Sequence, residues 1–223
     1  MTAPKTKSAR TQKRSHRQHE SRRPANTMTP LGSAERGRAF FYGIRRRRNY
    51  REAFPLLLNA AKDGYVHWQY LVGYSLVHGL GVEKNLRAAR HWYAKAGRRG
   101  HPGALFNLAL MYDQGEGVAP NPGKAFALYR KGAEVGDVWS QCNLALAYLH
   151  GLGTSKNVDE GLRWMRKAAH KGDSLAQYNL GLAYFEGEGI TRDVKRARIW
   201  FRRAARQGHT KAARLLGSLR PNY

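Results

Sequence analysis

Cysteine is nearly absent from this chain: one residue, Cys142, in 223. A single thiol excludes an intrachain disulfide framework and a four-cysteine zinc site. It fits a reducing compartment. Nothing around Cys142 lowers a thiol pKa, so it reads as a small apolar filler on a helix. Acidic residues are scarce too, 15 against 40 lysines and arginines, which leaves a net charge of +25. Long apolar runs are missing: no stretch approaches the roughly 20 residues a membrane helix needs. The basic N-terminus has no apolar segment behind it, which argues against a secretory signal. Its Arg, Ser and Thr content suits an organelle transit peptide, but the leucines that would make one amphipathic are lacking. Residues 1–30 contain no aromatic residue and almost nothing large and apolar. Such a segment cannot bury enough surface to offset the entropy of ordering, so residues 1–33 are expected to form a disordered basic tail.

What the chain has in abundance is glycine at fixed spacing. From Tyr65 to Gly208 the sequence divides into four 36-residue blocks without insertion or deletion, 65–100, 101–136, 137–172 and 173–208. Each carries Gly at its 15th, 17th and 36th positions, as in Gly79, Gly81 and Gly100. A fixed period in this range marks a stacked helical array, in which each repeat packs mainly on its neighbours. Projected backward, the pattern gives a degenerate capping block over 34–64, in which Arg45 stands where the second loop glycine belongs. Residues 209–220 repeat the first half of a block and read as a C-terminal capping helix, so the solenoid spans 34–223.

Each block reads as two antiparallel helices, over columns 2–14 and 22–35. In the first, columns 5, 8, 9 and 12 line one face, as Gln177, Leu180, Gly181 and Tyr184 do. Column 9 is always Gly or Ala, which lets a neighbouring helix approach closely. In the second, columns 25, 28, 29, 32 and 33 form an amphipathic stripe, as in Ala197, Trp200, Phe201, Ala204 and Ala205. Column 21 (Asn49, Asn85, Asn121, Asn157, Asp193) supplies the helix N-cap. The fold class is therefore all-α, an α-solenoid of helix pairs.

The segments NLGLAYFEGEGITRDVKRARIWFRRAARQG (179–208) and NLALMYDQGEGVAPNPGKAFALYRKGAEVG (107–136) resemble the Sel-1-like repeat, a relative of the tetratricopeptide repeat. The likeness covers 65–208 in four in-register copies. It implies a right-handed superhelix of helix pairs that serves as an adaptor or scaffold for other proteins. The penicillin-binding or hydrolytic activity linked to cysteine-rich members does not carry over, since the paired cysteines are missing.

Catalytic motifs are not found. GEGVAPNPGK at 115–124 has glycines and a lysine but departs from the phosphate-loop pattern and recurs as an ordinary repeat turn. None of the nine histidines forms metal-ligand spacing with a carboxylate. The chain is expected to be no enzyme and to need no cofactor. Columns 3, 7, 10 and 14 lie opposite the core face of the first helix and would line a concave groove. The groove candidates are Asn107, Asn143 and Asn179 in column 7, Trp139 in column 3, and His78 and His150 in column 14. An amide ladder can donate to and accept from a peptide backbone. The same asparagines can equally bond neighbouring helices, and Trp139 can pack under one.

A second candidate is basic surface: Arg45, Arg46, Arg47 and Arg48 in the capping loop, with Lys195, Arg196, Arg202 and Arg203 on the last outer helix. With the tail, these suit phosphates, acidic lipids or an acidic protein. No aromatics are interleaved for base stacking. Residues 1–50 hold 14 basic and 2 acidic residues, so the excess charge falls mostly outside the groove. The primary expectation is a scaffold that binds a protein or peptide in its groove; the alternative is an electrostatic binder of nucleic acid or another polyanion. A cytoplasmic location is expected, with the nucleus or export as an effector as alternatives.

Overall fold

The computed structural model describes residues 30–45 and 47–219; the expected tail before residue 30 and Arg46 lie outside them. The described residues form eleven α-helices: α1 (Pro30–Tyr42), α2 (Tyr50–Lys62), α3 (Val66–His78), α4 (Leu86–Arg98), α5 (Pro102–Gln114), α6 (Pro122–Glu134), α7 (Val138–His150), α8 (Val158–His170), α9 (Ser174–Glu186), α10 (Val194–Arg206) and α11 (Thr210–Ser218). Each packs on the helices before and after it in the chain, most closely on its partner within the block. This is the solenoid that the 36-residue period predicts. Helix α1 starts at Pro30, inside the segment assigned to the tail, because Ala34 is already fully buried in the capping block.

The helix boundaries follow from local chemistry. Asn49, Asn85, Asn121, Asn157 and Asp193 each accept a hydrogen bond from the backbone N–H three residues on, at 2.9–3.2 Å. The first helices have caps that column 21 does not reveal. Asp137 and Asp173 cap α7 and α9, and His101 and His209 cap α5 and α11 through Nδ1. The first helix of each full block ends on a glycine in the left-handed region, as at Gly79 with φ 68°.

Buried side chains join consecutive pairs. Gly73 and Gly181 lie under the rings of Tyr93 and Phe201, where an added Cβ would come within 2.7 Å of ring carbon. Trp164 and Trp200 are buried and Trp92 is half-buried on the outer helices. Gln69, Gln141 and Gln177 are buried in column 5 and donate to the carbonyls of Ala61, Ala133 and Ala169 in the preceding second helix, each at 3.1 Å. Cys142 is buried as well, and burial, with the nearby Asp173 carboxylate, pushes its thiol well above the ordinary range.

The second loop glycine sets how blocks stack. A Cβ on Gly81 or Gly153 would lie 1.9 or 2.1 Å from the carbonyl oxygen of Tyr50 or Pro122. On Gly117 or Gly189 it would strike Leu86 or Val158. All four contacts fall on the first residue of the preceding block's second helix. Arg45 occupies the same column and keeps the left-handed turn, at φ 58°. It is tolerated because, among the described residues, no helix pair precedes the cap, so only the conformational cost of about 1–2 kcal/mol applies. Gly153→Ala is therefore expected to cost at least about 2 kcal/mol from overpacking and backbone strain together. Arg45→Gly should stay within about 1 kcal/mol of the parent, since relief of strain and added chain entropy offset each other. Urea unfolding followed by circular dichroism measures both.

Candidate partner-binding face

The expected groove residues all belong to first helices, and the structure places them unevenly. Trp139 is 60% exposed at the start of α7, with its ring 5.6 Å from that of Phe106. His78 and His150 are exposed at the ends of α3 and α7. The asparagines are half-buried and partly engaged with their surroundings. Asn107 Nδ2 donates to the Tyr93 hydroxyl at 3.1 Å, and Asn143 Nδ2 donates to the Trp139 carbonyl one turn back, at 2.9 Å. In the first block the ladder is interrupted by Leu71, which is buried.

Three of the six candidates, His78, Asn107 and Trp139, line one cavity of about 630 Å³ at the N-terminal end of this face. Asn143, His150 and Asn179 do not line it. The remaining wall is aromatic and comes from the capping block and first block: Phe41, Tyr42, Tyr50, Tyr70 and Tyr74, with Leu71 and Leu80. These rings pack edge-on and tilted, with Phe41 5.3 Å from Tyr50 and Tyr70 6.3 Å from Tyr74. Sequence periodicity missed this wall because Tyr42, Tyr50 and Tyr74 are aromatic exceptions in their columns, and their convergence with Phe41 and Tyr70 depends on how the two blocks stack. The density of aromatics between Phe40 and Tyr74 was the available signal.

Arg48 also lines the cavity, so one residue of the arginine run belongs to the groove rather than to a separate surface. Arg38, on α1, is exposed nearby and its field reaches two groups of this face. Burial raises the pKa of the Tyr42 hydroxyl and Arg38 pulls it partly back; burial lowers that of His67, and Arg38 adds to the effect. Arg45 and Arg47 are exposed, and Arg46 lies outside the described residues.

Beside the cavity, Tyr70 stacks on His101 with ring centres 4.5 Å apart, and His101 Nε2 lies 3.3 Å from His67 Nδ1. His101 Nδ1 accepts from Ala104 N–H. Its proton therefore sits on Nε2 and is donated to His67. Both imidazoles must be neutral for this chain of bonds. Burial lowers both pKa values, aided by Arg38 at His67 and by His67 at His101.

The outer face is basic but partly engaged in packing. Lys95, Lys167 and Arg203 lie over Trp92, Trp164 and Trp200 at 5.2, 4.2 and 4.6 Å. Arg196 pairs with Asp193 at 3.3 Å, whereas Lys195 and Arg202 are exposed without an ion pair among the described residues. Among the described residues no group of three His, Cys, Asp or Glu is placed to hold a metal ion, and no helix is long and apolar enough to cross a membrane.

Stacked, glycine-registered helix pairs with an outward basic face and an aromatic inner pocket define a helical-repeat solenoid. The Sel1 repeat profile matches residues 31–65, 69–101, 102–137, 140–173 and 174–209, and the chain belongs to the Sel1 repeat family. It is similar to a Sel1 repeat protein from Oxalobacter formigenes, at 30% identity and TM-score 0.78, over 84% of this chain and 75% of that one. It also resembles c5321, a protective antigen present in uropathogenic Escherichia coli strains and displaying an SLR fold. That likeness is at 28% identity and TM-score 0.79, over 86% of this chain but 41% of the antigen. An immunity protein from Pseudomonas aeruginosa shares the fold at 20% identity and TM-score 0.53, over 82% of this chain and 68% of that one. A comparison with curated proteins finds no match.

The His67–His101 arrangement gives stability a pH dependence. A folded-state pKa below the ordinary 6.5 means that the unfolded chain binds protons first on acidification. The contribution is complete above about pH 6.5 and is lost as pH falls through the folded-state values. Melting temperature should therefore drop between neutral and mildly acidic pH. His101→Asp, which keeps a cap without an imidazole, should flatten that part of the profile.

Proposed function

We propose that this chain is a non-enzymatic interaction scaffold that receives a protein or peptide partner on the face formed by its first helices. The observation that carries this reading is the aromatic cavity meeting an exposed Trp139. Solvent-exposed indole beside a concave, mostly apolar pocket is unfavourable in isolation and favourable once covered. Aromatic anchors in desolvated pockets supply most of the energy at protein interfaces. The family's association with scaffolding agrees with it. The remaining groove candidates, Asn143, Asn179 and His150, extend the contact along the solenoid, with Asn179 free of any side-chain hydrogen bond to the described residues.

Trp139 and His78 are exposed, so Trp139→Ala with His78→Ala should leave the melting temperature within about 2 °C, as surface changes do. The same double variant should lose the partners that the parent chain captures under native conditions, while deletion of residues 1–29 should retain them. Unchanged capture by the double variant would overturn the groove reading.

A second reading has one observation in its favour. Helix α10 carries six Lys and Arg residues and no acid between Val194 and Arg206, and α11 adds Lys211 and Arg214. This face suits a polyanion such as RNA, bound through phosphates. Titration with a labelled RNA should then show affinity falling steeply with salt and reduced by Lys195→Glu with Arg202→Glu. Absence of binding even at low salt excludes this reading.

A further inference from the structure

The cavity's charge is as informative as its apolar wall. None of its lining residues is acidic, and Arg48 is the one formally charged residue among them. Arg48 and Arg38 have no ion pair among the described residues, although both are exposed. Asp137, whose field reaches Tyr70, is committed to capping α7, with Oδ1 accepting from Ser140 N–H at 2.7 Å. Arg48 thus stands on the rim of the aromatic recess with no carboxylate in its lining, and Arg38, one helical turn before the lining residue Tyr42, adds its positive field. Glu83 lines the adjoining recess that Arg48 also borders and makes no ion pair with it. Arginine is the side chain best suited to hold carboxylates by paired hydrogen bonds. The cavity volume of about 630 Å³ suits one large side chain with its flanking backbone.

We propose that this pocket takes a large aromatic or aliphatic side chain of a partner protein, within an internal segment whose neighbouring residues are acidic. The proposal rests on the groove reading above and adds the chemistry of the partner. Charge decides among occupants. The chain's own residues 1–29 carry eight Lys and Arg and a single Glu, and would bring cations to Arg38 and Arg48. A second copy, at net charge +25, meets the same repulsion. An acidic partner is drawn to the pocket's end of the solenoid, and the buried anchor holds it there. General attraction to a basic protein would not select the anchor, so the two contributions can be separated.

The test is selection of displayed random 12-residue peptides on the full chain, followed by fluorescence polarisation with one enriched peptide. Enriched sequences should share an aromatic or large aliphatic residue flanked by Asp or Glu. Affinity should fall at least about 10-fold on Trp139→Ala, on Arg38→Ser with Arg48→Ser, and on replacing the peptide's anchor by Ala. Lys195→Glu with Arg202→Glu should leave it unchanged. The substituted side chains are exposed, and melting curves confirm that each variant is folded. Enriched peptides without acids that still depend on Trp139 would overturn the acidic partner and leave the groove reading standing. Peptides indifferent to Trp139 and lost only on reversing charge in α10 would overturn both. No enrichment over an unrelated basic protein would also overturn the proposal.

Discussion

Everything in this solenoid depends on one close approach. The second loop glycine of each full block presses on the first residue of the preceding block's second helix, at Tyr50, Leu86, Pro122 and Val158. No side chain fits between them, and the turn itself requires a left-handed backbone. The close approach recurs at all four junctions, against backbone at Tyr50 and Pro122 and against the side chains of Leu86 and Val158. The buried glutamines of column 5 then reach the end of the preceding second helix, and Lys171 and Arg99 bond the carbonyls of Gly136 and Gly64 across the same junctions. A stack with a uniform step presents a continuous inner face, which is what a surface for an extended partner requires.

Uniformity makes the scaffold, and departures from it make the pocket. The capping block brings Phe41, Tyr42 and Tyr50 to its end of the inner face, where later blocks, Phe185 excepted, have smaller or polar residues. The first block adds Tyr70 and Tyr74, and Asn107 and Trp139 close the cavity from two blocks further on. The cap also has Arg45 in place of the loop glycine, which fits because no described helix pair stands before it to meet the side chain. The same run of arginines then places Arg48 in the cavity. One irregular end of the molecule therefore differs from the rest in shape, aromatic content and charge together.

The basic residues divide into distinct physical situations. Lys95, Lys167 and Arg203 lie over the rings of Trp92, Trp164 and Trp200 and contribute to packing of the outer helices. At the second-helix ends others hold carbonyls of the preceding block. On α10 several remain exposed and unpaired, Arg48 lines the aromatic recess, and Arg38 lies on α1 one turn before its wall residue Tyr42. A net charge of +25 thus describes neither one binding channel nor a uniformly solvated surface.

The helix pairs, their boundaries, the N-caps of the second helices and the core columns were legible in the sequence. Each is dictated locally or by a contact that recurs every 36 residues, and recurrence makes it visible. Trp139, as the least regular groove residue, was legible for the same reason, since it breaks a column. The His101 and His209 caps were not, because imidazole is an uncommon cap and its role depends on a tautomer fixed by neighbours. The aromatic cavity was not legible either: its residues come from four blocks and from columns that otherwise look unremarkable. Sequence alone determined the period, the helices and the stacking register, because these rest on local backbone chemistry and on repeated steric fits. Only the tertiary structure decided that Arg48 joins Trp139, His78 and Asn107 around one recess, because that depends on where the stacked blocks carry side chains far apart in the chain.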